Sequence, residues 1–409
     1  MTGIGVFCAA AALAATASAS AARTAPWTKE RAWKWYDAQP WIRGCNYMPA
    51  SAANHLELWQ SYGSEERFAE VEREMALAER AGFNTMRVIL AKWGFSVWYH
   101  DHDGFMRNFE RTLAVFARHG IRAIVVLGND CSRPKELWEL PKLGPQSWDL
   151  GYHGGRKKSE TASYPDAVGY TMLDDPVLRP KFFEMCEELV GKYAQDDRIL
   201  LWNVWNEPGQ SNRGEKTVVD MRELFGRLWE IDPKQPLAAD LFWGDYGMGP
   251  GHANEWAWQG TPTGHKLGFL RAQKLAGELS DIISYHCYDA YAFQVRLIRE
   301  LKDFYGRPLV NTEWLARCRH CNVEELYPLY YLERIGAVNW GLVAGAYQTY
   351  EPWEGMWEEV ERGGGKGYDL TKWFHDLYRP SHRPYDPREI DLIRKFNRYA
   401  DADFAGRRK

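Results

Sequence analysis

Hydrophobic positions along the chain alternate between two kinds of segment. From about residue 41, short runs of β-branched and other apolar residues are followed by longer segments whose apolar residues recur every three or four positions. The first kind is typical of buried parallel strands, and the second of amphipathic helices. This pattern predicts eight strands, at residues 41–47, 85–90, 121–127, 199–205, 237–242, 282–288, 308–314 and 337–344.

The predicted helices each carry one apolar stripe, as in the segment that contains Phe68, Val71, Met75 and Ala78. Glycines such as Gly82 stand between a helix and the next strand, where a left-handed helix cap permits the turn. Eight strand–helix units predict an α/β fold, a (β/α)8 TIM barrel with long loops on its C-terminal face. An open doubly wound sheet is the competing arrangement, but it usually has fewer strands, and no Gly-x-Gly-x-x-Gly turn follows the first strand.

The length of 409 residues is within the range of a single barrel domain. We therefore expect residues 24–409 to form one catalytic domain, with residues 346–409 as a C-terminal extension that packs against the barrel. Long segments follow the third and fifth strands, at residues 128–180 and 243–264. Because active sites of barrels form at the C-terminal ends of the strands, these segments are expected to be walls of a cleft.

Residues 1–23 are rich in Ala, Ser and Thr, which predicts a signal peptide or an Ala-rich leader, although no Lys or Arg precedes the apolar run. The expected location is therefore secreted or periplasmic. Lipid attachment at Cys8 is disfavoured, because the residues before it make a poor attachment site. No later stretch approaches the roughly 20 apolar residues that span a bilayer, so the chain is not expected to cross a membrane.

Composition and charge narrow the expected partners. A net charge of −4 gives no reason to expect nucleic acid, and we expect a monomer. The 20 Trp residues exceed what a core needs and suit the apolar faces of sugars, although core packing is the simpler role for any one of them. Cys318 and Cys321 have the spacing of half a zinc site, but no second pair matches it, so a local disulfide or free thiols are expected.

Two glutamates stand where predicted strands end. The fourth strand ends in Trp-Asn-Glu-Pro, which places Glu207 at its rim, and Pro208 is expected to hold Glu207 in an extended backbone. The seventh strand ends in Asn-Thr-Glu-Trp, which places Glu313 at the same face of the barrel. A lone glutamate is most simply a solvated loop residue, but a pair at one pocket is what glycoside cleavage requires. One carboxyl protonates the departing oxygen, and the other meets the developing oxocarbenium carbon.

These strand-end motifs resemble clan A of the glycoside hydrolases, most nearly glycoside hydrolase family 5, the cellulase and mannanase family. The resemblance covers about residues 41–345 and rests on short motifs. It implies that Asn206 and Glu207 form the Asn-Glu pair that closes strand four, with Glu207 as acid/base, and that Glu313 is the nucleophile. It also implies supporting roles for a strand-two Arg, a strand-six His-x-Tyr and a strand-eight Trp, here Arg87, His286, Tyr288 and Trp340.

Each implied role is physically reasonable. Arg87 would keep Glu313 ionised through a charge-assisted hydrogen bond. The alternative is that Arg87 belongs to an ion pair with a purely structural role. Tyr288 can donate its hydroxyl to the nucleophile, while His286 can orient the acid/base or be a satisfied core histidine. Asn206 is expected to bind the sugar 2-hydroxyl. Trp340 would form the floor beneath the sugar, with burial in the barrel as the alternative.

Strand three departs from the family pattern, because it offers Asn129 and Asp130 where family 5 commonly presents a His. These two residues and Asn46 on strand one are candidates for sugar contacts. So is a group of loop aromatics: Trp59, Trp98, Trp138, Trp148, Trp243 and Trp353.

The sequence thus predicts a retaining glycosidase that acts on a β-linked poly- or oligosaccharide without a metal or organic cofactor. A catalytically silent sugar-binding barrel of the same ancestry is the alternative from another class. A metal-dependent hydrolase is a third, weakened because the strand ends offer few clustered His and Asp residues.

Overall fold

A computed structural model describes residues 23–147, 153, 167–242, 263–365 and 367–407. Eight parallel strands form a closed barrel in the order of the sequence, so each strand pairs with the next and the last pairs with the first. They are β1 Arg43–Asn46, β2 Thr85–Ile89, β3 Arg122–Asn129, β4 Ile199–Asn206, β5 Leu237–Phe242, β6 Ile283–His286, β7 Leu309–Glu313 and β8 Gly336–Trp340.

Helices surround this barrel and connect successive strands. In the described part of the chain they are α1 Lys29–Asp37, α2 Leu56–Trp59, α3 Ser64–Ala81, α4 Ala91–His100, α5 His102–Arg118, α6 Leu178–Lys192, α7 Gly214–Ile231, α8 Thr263–Leu279, α9 Tyr291–Tyr305, α10 Val323–Leu332, α11 Glu354–Glu361 and α12 Pro387–Arg407. The prediction of a (β/α)8 barrel is confirmed. Gly82 ends α3 with φ +83°, the left-handed cap that its position predicted.

Two predicted strands run two or more residues past the C-terminal ends of the observed ones. The sixth was expected to reach residue 288 and the eighth residue 344, but β6 ends at His286 and β8 at Trp340. At the end of β8, Gly341 has φ +77°, and a Cβ on it would lie 2.1 Å from the Asp376 carboxylate. This glycine therefore turns the chain out of the barrel where a side chain does not fit.

Helix α1 closes the N-terminal end of the barrel. Its buried residues Ala32 and Tyr36 belong to an apolar cluster with inward-facing strand residues such as Leu201, Val310 and Val338. A larger apolar cluster fills the layer between the strands and the outer helices. In the described part of the chain, α1 thus seals the N-terminal end of the barrel, and the interior opens towards the C-terminal ends of the strands.

The C-terminal extension packs against the barrel through α12. Ile390 and Ile393 are buried, and Asn397 donates to the carbonyl oxygen of Ala81 at 2.7 Å and accepts from Tyr327 at 2.7 Å. This agrees with the amphipathic pattern of its sequence. None of the helices in the described part of the chain is long and apolar enough to cross a lipid bilayer.

Two further sets of predictions concern the leader with the loop tryptophans, and the state of two cysteines. The leader with Cys8, and the aromatic residues Trp148 and Trp243, lie outside the described residues. Cys318 and Cys321 are both buried free thiols, so of the two expected states the local disulfide is wrong.

Candidate active site

The inward-facing residues of the strands change from apolar to polar towards the C-terminal end. On β5, Ala238 is followed two positions later by Asp240, and on β7 Val310 is followed by Thr312. Because alternate residues of a strand face the same side, one strand supplies both the apolar floor and the polar layer above it. Thr312 Oγ1 donates to Asp240 Oδ1 at 2.9 Å within this layer.

Arg87 on β2 is the centre of the polar layer. Its side chain is fully buried, and its nitrogens donate five hydrogen bonds to side chains of five other residues. The accepting atoms are Asn203 Oδ1 at 2.9 Å, Asn46 Oδ1 at 2.6 Å, Glu313 Oε1 at 2.7 Å, Asn206 Oδ1 at 2.6 Å and Asp240 Oδ2 at 2.8 Å. A guanidinium with this many satisfied donors is fixed in place and fixes its partners in turn.

Glu313 lies at the end of β7 with its carboxylate held by three donors. Arg87 donates to Oε1, while Tyr288 Oη donates to Oε2 at 2.7 Å and Trp340 Nε1 donates to the same oxygen at 2.9 Å. The side chain is 7% exposed. Arg87 and Tyr288, the two residues expected to act on Glu313, therefore both contact it directly, and so does Trp340, which was expected to form the floor beneath the sugar.

Glu207 follows directly after the end of β4 and has an unexpected backbone conformation. Its φ is +46°, in the left-handed region, so the expected extended backbone is wrong. Pro208 disfavours the right-handed helical region for Glu207, and two contacts hold the alternative turn. The amide N–H of Gly209 donates to Asp130 Oδ2 at 2.6 Å, and Gln273 Nε2 donates to the carbonyl oxygen of Pro208 at 2.6 Å.

The carboxylate of Glu207 faces Glu313 across the barrel mouth. Glu207 Oε1 lies 3.0 Å from His286 Nδ1, and Oε2 accepts from Cys131 Sγ at 3.0 Å. Its side chain is 15% exposed, twice as much as that of Glu313, so it is the more accessible of the two carboxylates. Burial alone would raise the pKa of Glu207, but the hydrogen bond and charge of His286 and the hydrogen bond of Cys131 lower it overall.

His286 at the end of β6 is surrounded by three carboxylates. Its Nδ1 lies 3.0 Å from Glu207 and 3.5 Å from Glu313, and its Nε2 lies 3.4 Å from Asp240. Burial lowers the pKa of His286, but the charges of Glu313 and Asp240 outweigh burial and raise it to about 10. His286 is therefore an imidazolium at neutral pH and shares its proton with the carboxylates around it.

Aromatic and imidazole rings line one side of this pocket. The ring of His153 lies 5.2 Å from that of Trp340 and 5.3 Å from that of His375, while Trp353 lies 5.5 Å from Tyr288. Burial lowers the pKa of His153 to about 4 and lowers that of His375 well below its usual value. Both imidazoles are therefore neutral, and the wall beside Glu313 is uncharged.

Other candidates from the sequence occupy different positions. Asn129 lies near the pocket and accepts from Asn206 Nδ2 at 2.9 Å. Asp130 is fully buried, where it accepts from Arg213 Nε at 3.0 Å and also from Thr217, so it supports the Glu207 turn and is removed from any sugar. Asn46 is buried below Arg87 and donates to the carbonyl oxygen of Thr312 at 2.7 Å.

The loop aromatics that the structure describes divide into core residues and partly buried residues. Trp59 and Trp98 are core residues, with their Nε1 atoms bonded to Ile89 O and Glu188 Oε2, so the expectation of sugar contacts is wrong for both. Trp138 and Trp353 are only partly buried and stay available for a ligand.

Asp240 and Cys131 are among the residues of the site that were missed from the sequence, as are Asn203, His153 and His375. Asp240 contacts Arg87 and His286, and a lone carboxylate inside the apolar run 237–242 was the signal that could have identified it. Cys131 contacts Glu207, but nothing in its local sequence distinguishes it from the other cysteines, because its contact depends on the turn after β3.

In the described residues, one group of three side chains could hold a metal ion, and it belongs to this pocket. One ligand atom each from Glu207, His286 and Glu313 lie within 4.8 Å of one another. The Arg87 guanidinium and the His286 imidazolium already supply two positive charges to these carboxylates. The pocket therefore suits an acid–base pair better than a cation.

A closed parallel barrel that carries paired glutamates at the C-terminal ends of its strands has the architecture of a glycoside hydrolase. The chain belongs to the cellulase family, glycosyl hydrolase family 5, whose model matches residues 50–297. It is accordingly an O-glycosyl hydrolase with a carbohydrate substrate, as the strand-end motifs predicted. A search of curated protein sequences gives no match.

Solved structures with a similar fold are enzymes of distant sequence. The endo-β-1,4-mannanase from Thermotoga petrophila is 15% identical, with 89% of this chain and 78% of that chain covered and a TM-score of 0.51. A β-1,4-mannanase from the sea hare Aplysia kurodai is 11% identical, with 74% and 88% covered and a TM-score of 0.50. A GH5_18 protein from Streptomyces cattleya, solved with GlcNAc, is 13% identical, with 89% and 81% covered and a TM-score of 0.51. At these identities the likeness establishes the fold.

Proposed function

We propose that the protein is a retaining glycosidase that cleaves a β-linked poly- or oligosaccharide by double displacement. The observation that carries this proposal is the separation of the two glutamates, since an oxygen of Glu207 and an oxygen of Glu313 lie within 4.8 Å. Carboxyl groups of retaining glycosidases are about 5–5.5 Å apart, whereas inverting enzymes need about 6.5–9.5 Å to admit a water molecule. Oxygens this close together support the shorter, retaining arrangement over the inverting one.

Glu313 is the proposed nucleophile. Its carboxylate attacks the anomeric carbon, the bond to the leaving oxygen breaks, and a covalent glycosyl ester forms on Glu313. Arg87 and Tyr288 hold the two oxygens of Glu313, so the carboxylate is oriented before the substrate arrives. Trp340 donates to the same carboxylate, and its ring is the proposed floor beneath the sugar.

Glu207 is the proposed acid and base. It protonates the leaving oxygen in the first step and then removes a proton from the water that attacks the glycosyl ester and frees Glu313. His286 lies 3.0 Å from Oε1, so a proton carried by this pair is available to Glu207 at the start of the reaction. Asn206, buried between Arg87 and Asn129, is the proposed contact for the sugar 2-hydroxyl.

The β linkage is proposed from the substrates of structural relatives. Two of the similar barrels described above are β-1,4-mannanases. Export to the periplasm or the exterior, where polymeric substrates occur, is proposed from the composition of residues 1–23.

Covalent labelling tests the proposal directly. The protein would be incubated with 2,4-dinitrophenyl 2-deoxy-2-fluoro-β-glycosides of glucose, mannose and galactose, followed by mass spectrometry of the intact chain and of its peptides. We expect one fluoroglycosyl group on the peptide that contains Glu313, because the fluorine slows breakdown of the ester. Glu313→Gln is expected to remain unlabelled, whereas the matched control Glu215→Gln, at an exposed ion pair with Arg271, is expected to be labelled normally.

Two outcomes would contradict the proposal. Labelling of a different residue would overturn the assignment of the nucleophile. The absence of label with all three reagents, together with retained binding of oligosaccharides, would favour the catalytically silent sugar-binding barrel.

A further inference from the structure

The thiol of Cys131 lies against the carboxylate that is proposed to act as acid and base. Cys131 stands two residues after the end of β3, and its Sγ lies 3.0 Å from Glu207 Oε2. The other oxygen of Glu207 contacts His286. We propose that Cys131 is a positioning residue for the reaction: its thiol donates a hydrogen bond to Glu207 Oε2 and, together with His286, fixes the plane of the carboxyl group. This inference rests on the proposed role of Glu207.

The surroundings of Cys131 make it a hydrogen-bond donor and not a nucleophile. Burial, and then the neighbouring Glu207 carboxylate, raise the pKa of the Cys131 thiol well above its usual value. The thiol therefore keeps its proton, and that proton has a carboxylate oxygen within reach. Weak donors such as S–H are most effective towards a charged acceptor.

Cys131 is held at this position by its neighbours. Its backbone N–H donates to Asn129 Oδ1 at 3.0 Å, and the same oxygen accepts from Asn206 Nδ2 at 2.9 Å. Asn206 Nδ2 also lies 3.7 Å from Sγ. The side chain of Asn129 thus ties the turn after β3 to the end of β4 and holds the thiol beside the carboxylate that it contacts.

The charged and titratable groups around Glu207 determine what the thiol does. His286 from β6 and Cys131 donate to its carboxylate and lower its pKa, whereas burial and Asp240 from β5 raise it. Glu313 on β7 faces Glu207 across the pocket, and His153 is a neutral neighbour. Because Cys131 and His286 are the two donors that the described residues supply to this carboxylate, removal of the thiol is expected to raise the pKa of Glu207 and loosen its orientation.

The kinetic test compares pH profiles of kcat/KM for hydrolysis of an aryl β-glycoside. Loss of activity at high pH reports loss of the proton that Glu207 and His286 hold between them and that Glu207 donates, so a raised pKa of Glu207 moves this alkaline limb to higher pH. We expect a shift of about 0.5–1 pH unit in Cys131→Ala, the size of a weak hydrogen bond to a charged group, with a smaller kcat. Cys131→Ser retains a donor and is expected to restore the wild-type limb. The control Cys186→Ala, in buried α6, is expected to leave the profile unchanged.

A spectroscopic test does not depend on catalysis. Difference infrared spectra between the wild type and each cysteine variant isolate the S–H stretching bands of Cys131 and Cys186. We expect the Cys131 band at lower frequency, because its proton is bonded to a carboxylate, and we expect it to move towards the Cys186 band in Glu207→Gln. The same frequency for both cysteines, or an unshifted alkaline limb in a folded Cys131→Ala, would overturn the inference. A low-frequency Cys131 band in a protein that no fluoroglycoside labels would instead contradict the proposed function and leave the contact itself standing.

Discussion

The two ends of the barrel each bury an Asp–Arg pair, but the pairs have different surroundings. At the N-terminal end, Asp281 accepts from Arg23 Nη1 at 2.7 Å and from the backbone N–H groups of Trp27 and Leu237 at 2.7 and 2.8 Å. At the C-terminal end, Asp240 accepts from Arg87 at 2.8 Å and faces His286, and its contacts in the described part of the chain come from side chains. The first pair fastens the segment before α1 to the barrel, whereas the second joins a network of charged side chains.

The two aspartates also differ in their electrostatics. Burial raises the pKa of Asp281 in spite of Arg23, while at Asp240 the charges of Arg87 and His286 outweigh burial and lower the pKa strongly. A barrel end that only needs to be closed can use apolar packing and one satisfied ion pair. An end that performs acid–base chemistry must keep several charges ionised in a buried place, and it does so by placing them against one another.

The largest expected contrast is between Arg87→Met and Arg23→Met. Removal of Arg87 leaves Asp240 and Glu313 buried without their cation, so we expect the free energy of unfolding to fall by about 3–5 kcal/mol and glycosidase activity to be lost. Removal of Arg23 leaves Asp281 with two backbone donors, so we expect a loss of about 1.5–3 kcal/mol and an unchanged kcat.

Urea denaturation and initial rates on an aryl glycoside measure both quantities. If Arg87→Met does not fold, Arg87→Lys keeps the charge but not the planar fork, and it is expected to fold with strongly reduced activity. Equal loss of activity in the Arg23 and Arg87 variants would show that the two ends are not functionally distinct.

The sequence predicted the barrel and the residues at its strand ends well. It predicted less well the backbone conformations and the packing that depend on distant segments. Alternation of strands and helices indicated the fold, and strand ends at one face placed Glu207, Glu313, Arg87, His286 and Tyr288 together. These predictions succeeded because the period of a strand and the direction of parallel strands are local properties that the sequence encodes.

Features that depend on contacts between distant segments were not predictable. The left-handed backbone of Glu207 is held by Asp130 and Gln273, residues 77 positions before and 66 positions after it. The burial of Trp59 and Trp98 likewise depends on how the helices pack against the barrel. A Trp-rich composition predicts aromatic surfaces, but it does not say which rings face the cleft.

An effect smaller than that of Arg87→Met is expected on the pH dependence of the free energy of unfolding. The pKa of His286 is raised to about 10 in the folded protein, above about 6.5 in an unfolded chain, so its protonation stabilises the fold fully below pH 6.5. This stabilisation is lost as the pH rises from about 6.5 towards 10, with a slope of at most about 1.4 kcal/mol per pH unit.

Denaturation at a series of pH values in this range provides the measurement. His286→Asn is expected to remove most of the alkaline decline, because its side chain does not titrate. Arg23→Met, at the other end of the barrel, is expected to keep the same slope as the wild type. A decline that persists unchanged in His286→Asn would place its origin in another group.

The smallest contrast is between two Tyr→Phe changes, each of which removes one hydroxyl. Tyr36 on α1 donates to the carbonyl oxygen of Arg334 at 2.9 Å, and Tyr288 donates to Glu313 Oε2 at 2.7 Å. Tyr36→Phe is expected to lower the free energy of unfolding by about 0.5–1.5 kcal/mol without a change in kcat, because its partner is a neutral carbonyl remote from the pocket.

Tyr288→Phe is expected to act on the rate instead. A hydrogen bond to a charged group contributes about 1.5–3 kcal/mol, which corresponds to a decrease in kcat of roughly 10- to 100-fold if the bond orients Glu313 for attack. Glu313 keeps Arg87 and Trp340 as donors, so the stability of the variant should change little. Parallel measurements of kcat and of urea midpoints decide the matter: a Tyr288→Phe protein that is destabilised but not slowed would make this hydroxyl a structural group like that of Tyr36.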